Sequence, residues 1–177
     1  LTRLIGGARS GKSALAVDIG HRHDAAGFAV IYVATAPDLY PYMHARIERH
    51  LGERPYTWTT IEEDIDLVGA LDACGDGLVV IECLTLGGSN LMWHQISAEV
   101  VVERATAAAR HAADRADPTV AITNEVGLGV HPETELGRAY RDLLGRVNQT
   151  WSAAADPALL LVARRARRLD DPWDHIR

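Results

Sequence analysis

Five short runs of apolar residues punctuate the chain: Thr2–Ile5, Phe28–Ala34, Leu78–Glu82, Thr119–Thr123 and Ala158–Val162. They are rich in Val, Ile and Leu and continuous rather than alternating. Strands buried on both faces read this way, as in a parallel sheet. Between them lie segments with helical patterning, at about Lys12–Arg22, Pro41–Leu51, Glu62–Ala73, Ser97–Arg115 and Thr134–Ala155. In the last, Leu136, Tyr140, Leu143, Leu144, Val147 and Trp151 recur at steps of three and four, which lines one helix face. Alternating strands and helices predict an α/β fold, a mostly parallel central sheet with helices on both faces and right-handed crossovers. No repeat, linker or low-complexity segment divides the chain, so residues 1–177 are expected to form one domain, with 163–177 as an extended tail.

Composition narrows the functional classes. The 177 residues are 47% hydrophobic and 24% charged, which excludes a disordered chain. No apolar run is long enough to span a bilayer, so no stable membrane insertion is expected. The chain opens directly in a strand-like run, from which no secretory leader is expected. Two cysteines, Cys74 and Cys83, cannot make a disulfide framework, and a reduced cytoplasmic setting is expected. The net charge of -6 argues against a nucleic-acid partner. The basic block Arg164, Arg165, Arg167 and Arg168 reads as part of a solvated tail. Of 18 basic residues, 17 are Arg and one is Lys, at position 12.

That lysine sits in Gly6, Gly7, Ala8, Arg9, Ser10, Gly11, Lys12 and Ser13, directly after the first strand. The spacing is that of a phosphate-binding loop. Glycines permit a tight turn whose backbone N–H groups face a phosphate, and the following helix presents its positive end. Lys12 reaches the β- and γ-phosphates, and the Ser13 hydroxyl ligates Mg²⁺. Glu82 closes the third apolar run, where a carboxylate holds that ion directly or through water. Cys83 reads as a small buried filler.

A second cluster, Arg46, Arg49, His50 and Arg54, crowds a short helix and its exit. In an acidic protein it suits an anionic ligand, and on spacing alone it suits a solvated helix equally well. The remaining histidines show no metal-ligand spacing.

Four blocks together resemble the bifunctional adenosylcobinamide kinase / adenosylcobinamide-phosphate guanylyltransferase family of cobalamin synthesis. They are GGARSGKS at Gly6–Ser13, YVATA at Tyr32–Ala36, RIERHLGERPYTW at Arg46–Trp58 with Glu62, and TNEVGLGVHP running into GRAYRDLLGRVNQ from Thr123 to Gln149. The resemblance implies a P-loop fold and a kinase that phosphorylates the aminopropanol hydroxyl of adenosylcobinamide with ATP or GTP. It implies that GMP from GTP is then transferred through a guanylylated histidine. His50 is the residue in that position. A neutral imidazole is a competent nucleophile near pH 7, and a covalent intermediate divides one transfer into two easier ones. The resemblance also places Ala34, Thr35, Ala36, Leu51, Gly52, Glu53, Arg54 and Glu62 among the nucleotide contacts, with Glu62 suited to the N–H edge of guanine. It implies Mg²⁺, a corrinoid substrate and a homotrimer.

Asn124 and Glu125 belong to the site rim by resemblance; Glu125 suits a kinase base and a loop anchor equally. Arg138, Arg141, Asp142, Arg146 and Asn148 repeat at helical spacing and read as structural pairs. The chain departs from the family at Gly87-Gly88, where a bulky apolar pair is common, at His131, and in its Arg-rich end. The alternatives are a kinase alone, a different small-molecule kinase, or a nucleotide-switched regulatory module; for the last, no N-K-x-D segment is present.

Overall fold

The computed structural model describes residues 1–36, 52 and 54–176. Strands β1 (Thr2–Gly6), β2 (Val30–Ala34), β3 (Thr59–Glu62), β4 (Leu78–Glu82), β5 (Thr119–Asn124), β6 (Ala158–Val162) and β7 (Arg165–Leu169) form one sheet. Its order is β3-β2-β4-β5-β1-β6-β7. Six strands are parallel, and β7 returns antiparallel beside β6. The described helices are α1 (Lys12–Ala25), α2 (Leu67–Ala73), α3 (Leu84–Trp93), α4 (Ala98–Asp114) and α5 (Glu135–Ala154). None is long and apolar enough to cross a membrane.

The continuous apolar runs become strands because each feeds two cores. Leu4, Val30, Tyr32, Leu78, Val80, Val120 and Ile122 meet Ala16 and Val17 of α1 on one face. Ile31, Val33, Val79, Ile81 and Ala121 meet α2, α3, α4 and α5 on the other, around a fully buried Trp151. The helix starts have local causes. Asp66, Ser97 and Thr134 each accept a backbone N–H three residues on, capping α2, α4 and α5. Trp58 packs so closely on Gly20 of α1 that a Cβ there would lie 2.2 Å from its ring.

Three elements differ from the sequence reading. The predicted helix over Glu62–Ala73 is instead β3 followed by α2. Thr59–Glu62 is an exposed edge strand whose polar pattern hides its pairing with β2. Residues 84–93, not assigned from sequence, are helical through Gly87 and Gly88. The expected solvated tail contains β7, whose arginines lie on an exposed edge and discourage pairing with another chain. The predicted helix Pro41–Leu51 lies outside the described residues.

Candidate active site

Parallel strands end on one side, so Gly6, Ala34, Glu82, Asn124 and Val162 share an edge. Ligands bind at this edge in open α/β sheets. Gly6 leaves β1 so close to β6 that a Cβ would sit 2.3 Å from the Leu161 carbonyl oxygen. The loop then turns with positive φ at Arg9 (56°) and Gly11 (102°) and enters α1 at Lys12. Lys12 is buried, and its Nζ donates to the carbonyls of Gly6 at 2.9 Å and Gly7 at 2.7 Å. The ammonium is thus tied to the loop it would serve.

Glu82 bridges the loop and the sheet. Its Oε1 accepts from Ser13 Oγ at 2.5 Å, and its Oε2 accepts from the Tyr32 hydroxyl. Burial, with the nearby Glu82 charge second, pushes the Tyr32 hydroxyl far above its ordinary range, so it stays a donor. Arg54 lies over the Tyr32 ring, 3.9 Å from its centre, and donates to Thr60 Oγ1 at 3.2 Å. Ser13 and Glu82 therefore offer two oxygen donors side by side, a set that suits Mg²⁺. Among the described residues, no group of three or more His, Cys, Asp or Glu could hold a metal ion.

Thr35 links β2 to β4: its Oγ1 accepts from Cys83 N at 2.7 Å and donates to Cys83 O at 2.7 Å. Asn90 Nδ2 donates to Thr35 O at 2.8 Å, fixing α3 to the same corner. Ala34 pairs in register with both Glu62 and Glu82. Glu62 thus stands two strands from Glu82, roughly 10 Å away at ordinary strand spacing. Gly52 is exposed; His50, Leu51 and Glu53, with Arg46 and Arg49, lie outside the described residues.

The β5 rim is held by a network. Asn124 N donates to Thr85 Oγ1 at 2.7 Å, and Glu125 N donates to Gly6 O at 3.0 Å. Glu125 Oε1 accepts from Gly127 N at 2.5 Å, so this carboxylate anchors its own loop. Asn148 Nδ2 donates to Asn124 O at 3.0 Å, and Thr123 Oγ1 donates to Asn148 Oδ1 at 2.8 Å. Arg138 donates to the carbonyls of Pro132 and Glu133, and Arg141 to Gly127 O, the latter also meeting His131. Gly87 and Gly88 line a cavity of about 430 Å³ between the helices of the opposite face, with Thr35 at its margin.

Two contributors escaped the sequence reading. Tyr32 stood only as part of YVATA. Its alternation within β2 puts it on the α1 face, and that was the available signal. Arg3 lies wholly buried in β1, donating to Asn148 O and Ser152 Oγ. Burial lowers its pKa to about 10, against the opposing pull of Glu125. Nothing in the sequence marked an arginine inside an apolar strand as buried.

A family model described as cobinamide kinase / cobinamide phosphate guanyltransferase matches residues 2–169. The chain belongs to this family. Among the family's bifunctional adenosylcobalamin biosynthesis proteins, CobU of Salmonella typhimurium is 37% identical over 174 residues, covering 89% of this chain and 93% of its own. CobU of Escherichia coli is 35% identical, also over 89% and 93%. CobP of Pseudomonas aeruginosa is 34% identical, over 90% and 91%. The flagellar accessory protein FlaH of Methanocaldococcus jannaschii has a TM-score of 0.55 at 13% identity, covering 96% of this chain and 77% of its own. That likeness shows the α/β P-loop fold alone.

Proposed function

We propose that this chain phosphorylates the aminopropanol hydroxyl of adenosylcobinamide and then converts the phosphate to adenosylcobinamide-GDP with GTP. The observation that carries the first step is the 2.5 Å contact between Ser13 and Glu82 beside a lysine held on the loop carbonyls. The loop amides and the start of α1 would receive the triphosphate, and Lys12 would neutralise charge at its β- and γ-phosphates. Ser13 and Glu82 would hold Mg²⁺, which offsets phosphate charge when bound. The substrate hydroxyl oxygen forms a bond to the γ-phosphorus as the bond to the β-γ bridging oxygen breaks. The nucleoside diphosphate leaves, and the hydroxyl proton passes to solvent.

His50 carries the second step in this reading. Its neutral ring nitrogen attacks the α-phosphorus of GTP, and pyrophosphate leaves. A phosphate oxygen of the substrate then attacks the same phosphorus, the P–N bond breaks, and the imidazole is restored. Glu62, on the strand beside β2, would accept from guanine N–H groups in this reading.

The kinase reading is tested with Glu82→Gln and Lys12→Ala. Glu82→Gln is nearly isosteric and removes one charge from the Mg²⁺ pair. Its phosphorylation of adenosylcobinamide should need more Mg²⁺ for half-maximal rate, while Lys12→Ala should have no measurable kinase activity. An unaltered Mg²⁺ titration removes Glu82 from the metal site.

A further inference from the structure

We propose that Arg164 clamps the nucleoside end of the kinase-step donor held by the phosphate loop, stacking its guanidinium on the base of ATP and GTP alike, at a place distinct from the one where Glu62 would meet guanine in the second step. The proposal rests on the reading of Gly6–Ser13 as a triphosphate site. Val162 of β6 pairs with Arg165 of β7, so Ala163 and Arg164 form a two-residue turn. Both have positive φ, 48° and 61°. Glycine and asparagine favour that conformation, and an alanine followed by an arginine is an unusual choice for it. Such strained positions cluster at ligand sites.

The turn is fastened to the phosphate loop. Arg164 N donates to Ser10 O at 2.8 Å. Its stem lies across Gly11: Arg164 Cγ is 2.9 Å, and its Cα 3.3 Å, from the place a Gly11 Cβ would occupy. A glycine is therefore required beneath this arginine. The side chain is exposed, so its charged head extends beyond the loop into solvent. Arg168, by contrast, is committed to Asp156 at 2.7 Å.

Sheet order decides which end of a nucleotide Arg164 would meet. Glu82, with its Ser13 contact, approaches the loop from β4, on the β5 side of β1; Arg164 approaches from β6, on the other side. The transferred phosphate belongs at Lys12, Ser13 and Glu82. The nucleoside then leaves toward β6. A planar guanidinium there meets a ring face, and every base offers one.

The test measures equilibrium binding of three Mg²⁺-loaded probes: the α,β-methylene analogues of ATP and GTP, which cannot guanylylate the protein, and tripolyphosphate. Proteins compared are wild type, Arg164→Gly, Arg164→Asn and Lys12→Ala. Both Arg164 variants accept positive φ, so thermal stability should hold. Each should bind both nucleotide analogues about two- to fivefold more weakly, the range for an exposed cation–π contact, and tripolyphosphate as wild type does. Unchanged nucleotide affinity overturns the proposal. So does an equal loss for tripolyphosphate, which would make the contact one with phosphate. Lys12→Ala should weaken all three probes. If it weakens none, the loop reading fails and the clamp with it; if it does and the Arg164 variants bind normally, the clamp alone fails.

Discussion

Replacing Tyr32 with Phe removes one oxygen from the wall of the site. The ring stays, and so does its contact with Arg54, which needs only a π face. What disappears is the hydroxyl donated to Glu82 Oε2. A hydrogen bond to a charged group contributes about 1.5–3 kcal/mol. Glu82 is only half-buried, so water replaces part of the loss, and the lower end applies: about 1.5 kcal/mol of folding stability. In a Glu82→Gln background the acceptor is neutral, and a neutral bond is worth roughly half as much, about 0.7 kcal/mol. A double-mutant cycle by urea unfolding should therefore return a coupling of about 0.8 kcal/mol between the two positions. Tyr32→Phe should also raise the Mg²⁺ needed by the kinase, because Glu82 loses the group that orients it. An identical stability cost in both backgrounds would refute the link between Tyr32 and the Glu82 charge.

Gly6→Ala drives a methyl with no freedom to swing away against the Leu161 backbone carbonyl, and should cost about 3 kcal/mol; calorimetry should find a melting temperature lower by roughly 6–12 °C. Lys12→Arg should phosphorylate poorly despite its retained charge, because a planar fork does not fit a loop shaped around an ammonium; near-normal turnover contradicts this. Among the described tyrosines, Tyr32 and Tyr140 have hydroxyls raised, in each case by burial first. Their stability contribution is complete below the unfolded value near 10 and is lost as pH rises above it. Native protein at pH 11 should thus lack the tyrosinate absorbance of both until it unfolds, and Tyr32→Phe should leave the native titration amplitude unchanged.

The phosphate loop was legible because its chemistry is written in backbone: two glycines where a Cβ would collide, then a lysine and a hydroxyl at the start of a helix. The five inner strands were legible because burial on both faces makes their runs mostly apolar, with Arg3, Thr119 and Thr123 the buried polar exceptions among the described residues of β1 and β5. The edges were not. Thr59–Glu62 and Arg165–Leu169 each have a neighbour on one side only, and their exposed faces carry the polar residues that mask them. Residues 84–93 escaped because Gly87 and Gly88 weaken the helical pattern, while packing of Leu84 and Leu91 into the core supplies what propensity lacks. Within the site, Glu82 could be placed by its position at a strand end. Its dependence on Tyr32 could not, because that contact joins residues 50 positions apart across two neighbouring strands. Arg3 escaped for a similar reason: its acceptors lie on α5, some 145 residues away.

The central claim is that one chain carries two transfers, only one of which needs a protein nucleophile. Intact-mass measurement after incubation with Mg-GTP tests it most directly, on wild type and on His50→Ala. Wild type should gain a GMP adduct that survives alkali and is lost in mild acid, as a phosphoramidate is. His50→Ala should gain none and still phosphorylate adenosylcobinamide at a comparable rate. An adduct that persists in His50→Ala would place the nucleophile elsewhere, and a wild-type protein that never forms one would contradict the covalent route altogether.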